Sequence, residues 1–246
     1  MTTASPTRPP IRWTKQDLAG TARTIEPWWA MLTAGLEPMP PVLEAMRADL
    51  DELSLVLRGD AALEVKADAG TNVVDLLSAA GRAVHEAGLG APSTRGTVAG
   101  LFTSAGGVPK RPMDRAVIGW RGVESDRQAT RRHHGRVWQA LCIWSADVVT
   151  RLVAEGHPIF PGAAGENVSV SGIDFVPLRP GTRLRVGTVV AEISVPALPC
   201  ATNRPWFVDG DFTRIHHERH PGDSRLYASV VAPGEVAPGD EAVVEP

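Results

Sequence analysis

The stretch Arg183-Leu184-Arg185-Val186-Gly187-Thr188-Val189-Val190-Ala191-Glu192-Ile193-Ser194-Val195 decides the fold of the C-terminal part of this chain. Its first four residues alternate polar and apolar, the period of a half-buried strand, and a second apolar run continues after Gly187. Similar short stretches, cut by turn residues, lie on both sides. They are Thr97 to Thr103, Ala116 to Trp120, Trp138 to Trp144, Val168 to Val170, Leu226 to Val231 and Ala242 to Glu245. Ala105-Gly106-Gly107, Pro233-Gly234 and Pro238-Gly239-Asp240 supply turns between them. Many short strands with frequent turns predict a barrel or sandwich over residues 95–246. Two helices are expected inside it: one over Ser145 to Glu155 with Ser145 as N-cap, and a polar one over Asp209 to Arg219.

Residues 14–90 read differently. Leu43, Met46, Leu50, Leu53 and Leu57 step by three and four, placing them on one helix face. Val73, Leu76, Leu77, Ala80 and Val84 form a second such face, with Asn72 as its expected N-cap. Trp28 and Trp29 follow Pro27 and fit an earlier helix. A helical unit this short is expected to dock on the following domain or mediate self-association, as in a homodimer. Residues 1–13, polar and Pro-rich, read as a disordered tail.

Bulk properties narrow the function classes. The net charge of −3 over 246 residues gives no reason to invoke nucleic acid or a membrane surface. Residues 1–90 carry 8 basic and 12 acidic side chains, and the remainder 17 and 16. The two cysteines, Cys142 and Cys200, lie too far apart for a disulfide framework, and no secretory h-region is present. A cytoplasmic location is the expectation. Cys142, inside Leu141-Cys142-Ile143-Trp144, reads as a buried small apolar residue.

Cys200 sits at a strand-to-loop junction, in Leu198-Pro199-Cys200-Ala201-Thr202-Asn203-Arg204. Upstream lie Val108-Pro109-Lys110, then Gly122-Val123-Glu124-Ser125-Asp126-Arg127, a basic run through Arg131, Arg132, His133 and His134, and Gly165-Glu166-Asn167. Taken in order with the closing Leu226 to Val230 and Gly239-Asp240, these motifs resemble the MOSC domain, the family named after the C-terminal domain of molybdenum-cofactor sulfurase. The likeness spans Thr97 to Pro246 and is nearest to stand-alone bacterial members. Ser125 stands where the family more often has glycine. The resemblance implies a mainly β architecture, a β-barrel preceded here by a small α-helical segment, and binding of the molybdenum cofactor.

That cofactor is a pterin with a terminal phosphate. A thiolate at Cys200 suits a soft metal centre and is also a sulfur-transfer nucleophile, and Arg204 is a nearby cation. Arginine pairs with phosphate through a planar two-point contact, which makes Arg127, Arg131 and Arg132 candidates, with Asp126 in the same segment and His133 as a donor. Asn167 can donate to and accept from a pterin edge, and Glu166 can order Arg127 or shuttle protons. His216, His217 and His220, interleaved with Arg214, Glu218 and Arg219, read as a solvated segment rather than a metal cluster. Pyridoxal phosphate is disfavoured: of Lys15, Lys66 and Lys110, only Lys110 lies in the second part, in a turn that suits phosphate or solvent.

Three readings follow. The first is a molybdenum-dependent oxidoreductase that reduces N-hydroxylated compounds, with Cys200 as metal ligand and electrons from a separate reductase. The second is a sulfur carrier using a Cys200 persulfide. The third is a non-catalytic cofactor-binding module with residues 14–88 as a docking element.

Overall fold

A computed structural model describes residues 7–128 and 135–245. Three helices come first: α1 (Lys15–Thr33), α2 (Pro41–Arg58) and α3 (Leu63–Glu86). The strands are β1 (Thr94–Thr103), β2 (Arg111–Met113), β3 (Ala116–Gly119), β4 (Gly122–Val123), β5 (Leu141–Ser145), β6 (Val168–Ser171), β7 (Arg183–Val186), β8 (Val189–Pro196), β9 (Leu226–Ala232), β10 (Gly234–Val236) and β11 (Glu241–Glu245). Helix α4 (Ala146–Ala154) follows β5.

Seven strands close a barrel in the order β1-β11-β7-β8-β9-β5-β6, with β6 returning to β1. Closure depends on the length of β1. Its first half pairs with β11 (Thr94↔Val244), its middle with β6 (Leu101↔Val168), and a bulge between Val98 and Gly100 bends it from one partner to the other. Strands β7 and β8 form a hairpin, Val186↔Val189. The β5–β6 pair is parallel, which requires a crossover, and α4 supplies it. Ser145 caps α4, accepting from the Val148 amide at 3.3 Å. The interior is filled by alternate residues, among them Leu141, Ile143, Val168, Val170, Leu184, Val186, Ile193, Ala228 and Val244.

The helical unit packs behind the barrel, on the outer side of β5, β8 and β9. Its core of Leu18, Ile25, Leu32, Leu43, Leu50, Val73 and Leu77 is continuous with Trp138, Cys142, Val195, Ala197 and Tyr227. Trp28 and Trp138 meet at 5.8 Å between ring centroids. At a second seam Gly81 of α3 lies directly on Gly181 of the barrel. At a third, Arg136 runs beneath Gly20, donating to the Gln139 side chain at 2.9 Å and the Asp17 carbonyl at 3.4 Å.

Two local expectations need correction. Asn72 is not an N-cap. Helix α3 begins nine residues earlier, after Ala62, and Asn72 sits in its interior. Asp209–Arg219 forms no α-helix, only short 3-10 turns at Val208–Gly210, which contains Asp209 at φ 57°, and at Phe212–Ile215. Residues 7–13 of the expected tail are exposed or half-buried, and two of them touch α3: Arg8 pairs with Asp75 at 3.0 Å and the Trp13 indole donates to Thr71 at 2.9 Å. Residues 1–6 lie outside the described residues.

Candidate functional site

The end of β8 carries Cys200 out of the barrel. After Pro199 the chain turns into a 3-10 stretch, Ala201–Trp206, and leaves the Cys200 thiol exposed. Sγ lies 2.8 Å from the Thr202 hydroxyl. Asn203 is buried beneath this turn, its side-chain oxygen facing the Cys200 amide at 3.5 Å and the Arg225 guanidinium at 3.4 Å.

Arg225 organises the interior of the site. It is 6% exposed, immediately precedes β9, and also donates to the Ala164 carbonyl. No motif flags it in the sequence. The available sign is the placement of Arg225 at the entrance of the apolar run Leu226 to Val231, where a charge is out of character.

The Ala163-Ala164-Gly165-Glu166-Asn167 turn packs against Arg225. Glu166 is 0% exposed, its carboxyl group enclosed within the turn. One of its oxygens accepts from the Gly162 amide at 2.5 Å; the other has no partner. Burial raises its pKa above the ordinary carboxylate range, opposed by the Gly162 amide and by Arg225 and Lys110. The expected ordering of Arg127 by Glu166 is absent among the contacts of the described residues.

Asn167 is also committed internally. Its amide nitrogen donates to Asp126 at 3.0 Å and the Phe102 carbonyl at 3.4 Å, and its oxygen accepts from the Cys142 amide at 3.2 Å. Asp126 in turn accepts from the Ser104 amide at 2.8 Å and from Lys110 at 2.5 Å. The Lys110 and Asp126 side chains are 9% and 6% exposed. Lys110 is therefore an internal counter-ion, contrary to the expectation of a solvent- or phosphate-facing lysine.

A continuous polar chain thus runs from the Cys200 loop through Asn203 and Arg225 to the Glu166 turn, and on through Asn167 and Asp126 to Lys110. It holds Arg127, which is exposed and has no side-chain partner among the described residues, in place through the Arg127 amide on Ser104 at 2.9 Å. Arg204 is exposed and lies over the Phe212 ring at 5.9 Å, with no hydrogen bond to Cys200. Arg131, Arg132, His133 and His134 lie outside the described residues. Among the described residues no group of His, Cys, Asp and Glu is disposed to hold a metal ion by itself. No helix among them is long and apolar enough to cross a membrane.

The barrel is closed by seven strands, and an exposed cysteine lies just past the end of one of them. Residues 130–243 match the family model of the MOSC domain, and this part of the chain is a MOSC domain. The match begins downstream of Asp126 and Arg127. The chain is 29% identical over 135 residues to the uncharacterized protein YflK of Bacillus subtilis (strain 168), covering 54% of this chain and 60% of that protein. It is 29% identical over 120 residues to the protein YiiM of Escherichia coli (strain K12), covering 47% and 53%. The aligned parts thus span between half and three-fifths of these relatives. A crystal structure of a hypothetical protein shares the fold, with a TM-score of 0.50 and 23% identity over 62% of this chain and 69% of the other.

Proposed function

We propose that this chain binds the molybdenum cofactor, with Cys200 as the protein ligand to the metal, and acts as an oxidoreductase on N-hydroxylated compounds. The observation that carries the reading is the Cys200 thiol itself. It is exposed, at the end of a barrel strand, on a turn anchored by buried Asn203 and Arg225. The donor set fits the group: one accessible soft thiol for the metal and Arg127, without a side-chain partner among the described residues, for the phosphate. When bound, the cofactor supplies the two-electron chemistry that cleaves an N–O bond, the oxygen leaving as water and the electrons coming from a separate reductase. Asp126, Lys110, Glu166 and Asn167 keep the two loops at a fixed separation and do not touch the ligand. Arg204, held against Phe212, adds positive charge on the Cys200 turn.

The test is turnover of an amidoxime by metal-loaded protein with an artificial reductant. Wild type is expected to be active and Cys200→Ser inactive. Equal rates from both would remove Cys200 from the chemistry.

A second reading, a sulfur carrier, rests on the same exposure of Cys200 and on the Thr202 hydroxyl beside it, which would donate to a thiolate or persulfide. A mass increase of one sulfur atom on Cys200 of protein purified from cells, without bound pterin, would favour it.

A further inference from the structure

Between the N-terminal segment and the barrel lies a cleft of about 190 Å³ that the Cys200 chemistry does not use. Two indoles line it, Trp13 and Trp120, and both are fixed before any ligand arrives. Trp13 donates to Thr71 at 2.9 Å, and its ring lies close against Gly70, which has no Cβ to intrude. Trp120 packs against the barrel core. Four arginines, Arg8, Arg12, Arg121 and Arg136, line it together with one carboxylate, Asp17, and Arg8 is paired with Asp75. Arg136 is engaged with Gln139 and with backbone carbonyls of α1. Arg12 and Arg121 are exposed and make no side-chain hydrogen bond or ion pair among the described residues.

Asp17 supplies the independent sign that something is to be bound. It is 5% exposed, and one of its oxygens serves the capping box with Thr14. The other oxygen is buried without a partner. A buried carboxylate oxygen left unpaired costs on the order of 1–3 kcal/mol and is normally satisfied. A ligand donor at this point would remove that cost.

We infer that this cleft binds an aromatic anion of single-ring size that carries a hydrogen-bond donor. The ring would lie against the indoles, the anionic group would be met by Arg12 and Arg121, and the donor would reach the unpaired oxygen of Asp17. Size decides the class. Pockets for drug-sized ligands run to roughly 300–1,000 Å³, so this cleft holds one ring and a charged group, not a dinucleotide.

Calorimetric titration of the full chain with 4-aminobenzoate at low salt tests this, beside benzoate (no donor), aniline (no anion) and inorganic phosphate (no ring). The aminobenzoate is expected to bind best and to weaken at least ten-fold in the Arg12→Gln/Arg121→Gln double variant. Both positions are exposed, and an unchanged melting curve will show that the variant is folded. Cys200→Ser is expected to bind normally, which separates this site from the proposed redox chemistry. No binding at millimolar concentration, equal binding by the double variant, or phosphate binding as well as the aminobenzoate would each overturn the inference.

Discussion

Gly81→Ala is the sharpest test of how the two parts of this molecule are joined. In a solvent-exposed helix interior this change stabilises by about 1 kcal/mol, because alanine loses less backbone freedom than glycine. Here the sign reverses. A Cβ on Gly81 would lie 2.6 Å from the Gly181 Cα and 2.8 Å from both the Gly181 nitrogen and the Pro180 carbonyl oxygen. The first of these falls about 0.9 Å short of the ~3.5 Å lower end of carbon–carbon contact. All three atoms are backbone, so no side chain can rotate aside, and α3 must lift off the barrel. Overpacking of this kind costs about 1–3 kcal/mol. Taking the upper end and subtracting the propensity gain leaves a net loss of about 2 kcal/mol. For a chain of this size that is a fall in Tm of roughly 4–8 °C. Thermal unfolding followed by tryptophan fluorescence reads it directly, because Trp28 and Trp138 lie across the same interface. A rise in Tm would show that α3 does not press on the Gly181 turn.

Three further outcomes are expected. Asn167→Ala leaves the Cys142 amide without its Asn167 acceptor and removes a donor from Asp126, so denaturant titration should show a loss of about 2–4 kcal/mol; a loss below ~0.5 kcal/mol would contradict that role. Glu166 has its pKa raised above 4.5 by burial, so the folded protein keeps a proton that the unfolded chain gives up. Its contribution to stability is then full below about pH 4.5 and lost as pH rises through the raised native value. Glu166→Gln, which retains an acceptor for Gly162, should therefore gain on wild type from pH 4.5 toward neutrality, and parallel pH–stability curves would exclude a raised pKa. Exposed Cys200 should react with a thiol reagent in the native protein, while Cys142, buried and with its pKa pushed up by burial, should react only after unfolding; two fast equivalents in the native state would contradict the placement of Cys142.

The barrel was legible because its strands are short, period-two and bounded by Gly and Pro, as in Arg183 to Val195. Ser145 was readable as a cap because its reach is local. Asn72 misled for the complementary reason: an N-cap residue type can also sit on an exposed helix position, and only the upstream residues Leu63 to Thr71, helical by packing, settle the matter. The polar Asp209–Arg219 segment has the composition of a surface helix, but it opens on two left-handed residues, Asp209 and Gly210, and continues only as a short 3-10 turn. Cys200 was visible through its turn and family position. Arg225 and the Lys110–Asp126 pair were not, because they draw their roles from loops brought together by barrel closure, more than 15 residues apart in sequence. The burial of Glu166 was hidden likewise, since a Gly-Glu-Asn turn reads as surface until Arg225 is found beneath it.

The most direct measurement is the molybdenum and pterin content of protein expressed in a molybdate-fed, cofactor-competent host, with wild type and Cys200→Ser purified side by side. Near-stoichiometric molybdenum is expected in wild type and its loss from the variant, while both melt alike. Absence of molybdenum from both, or equal content in the two, would contradict Cys200 as the metal's ligand.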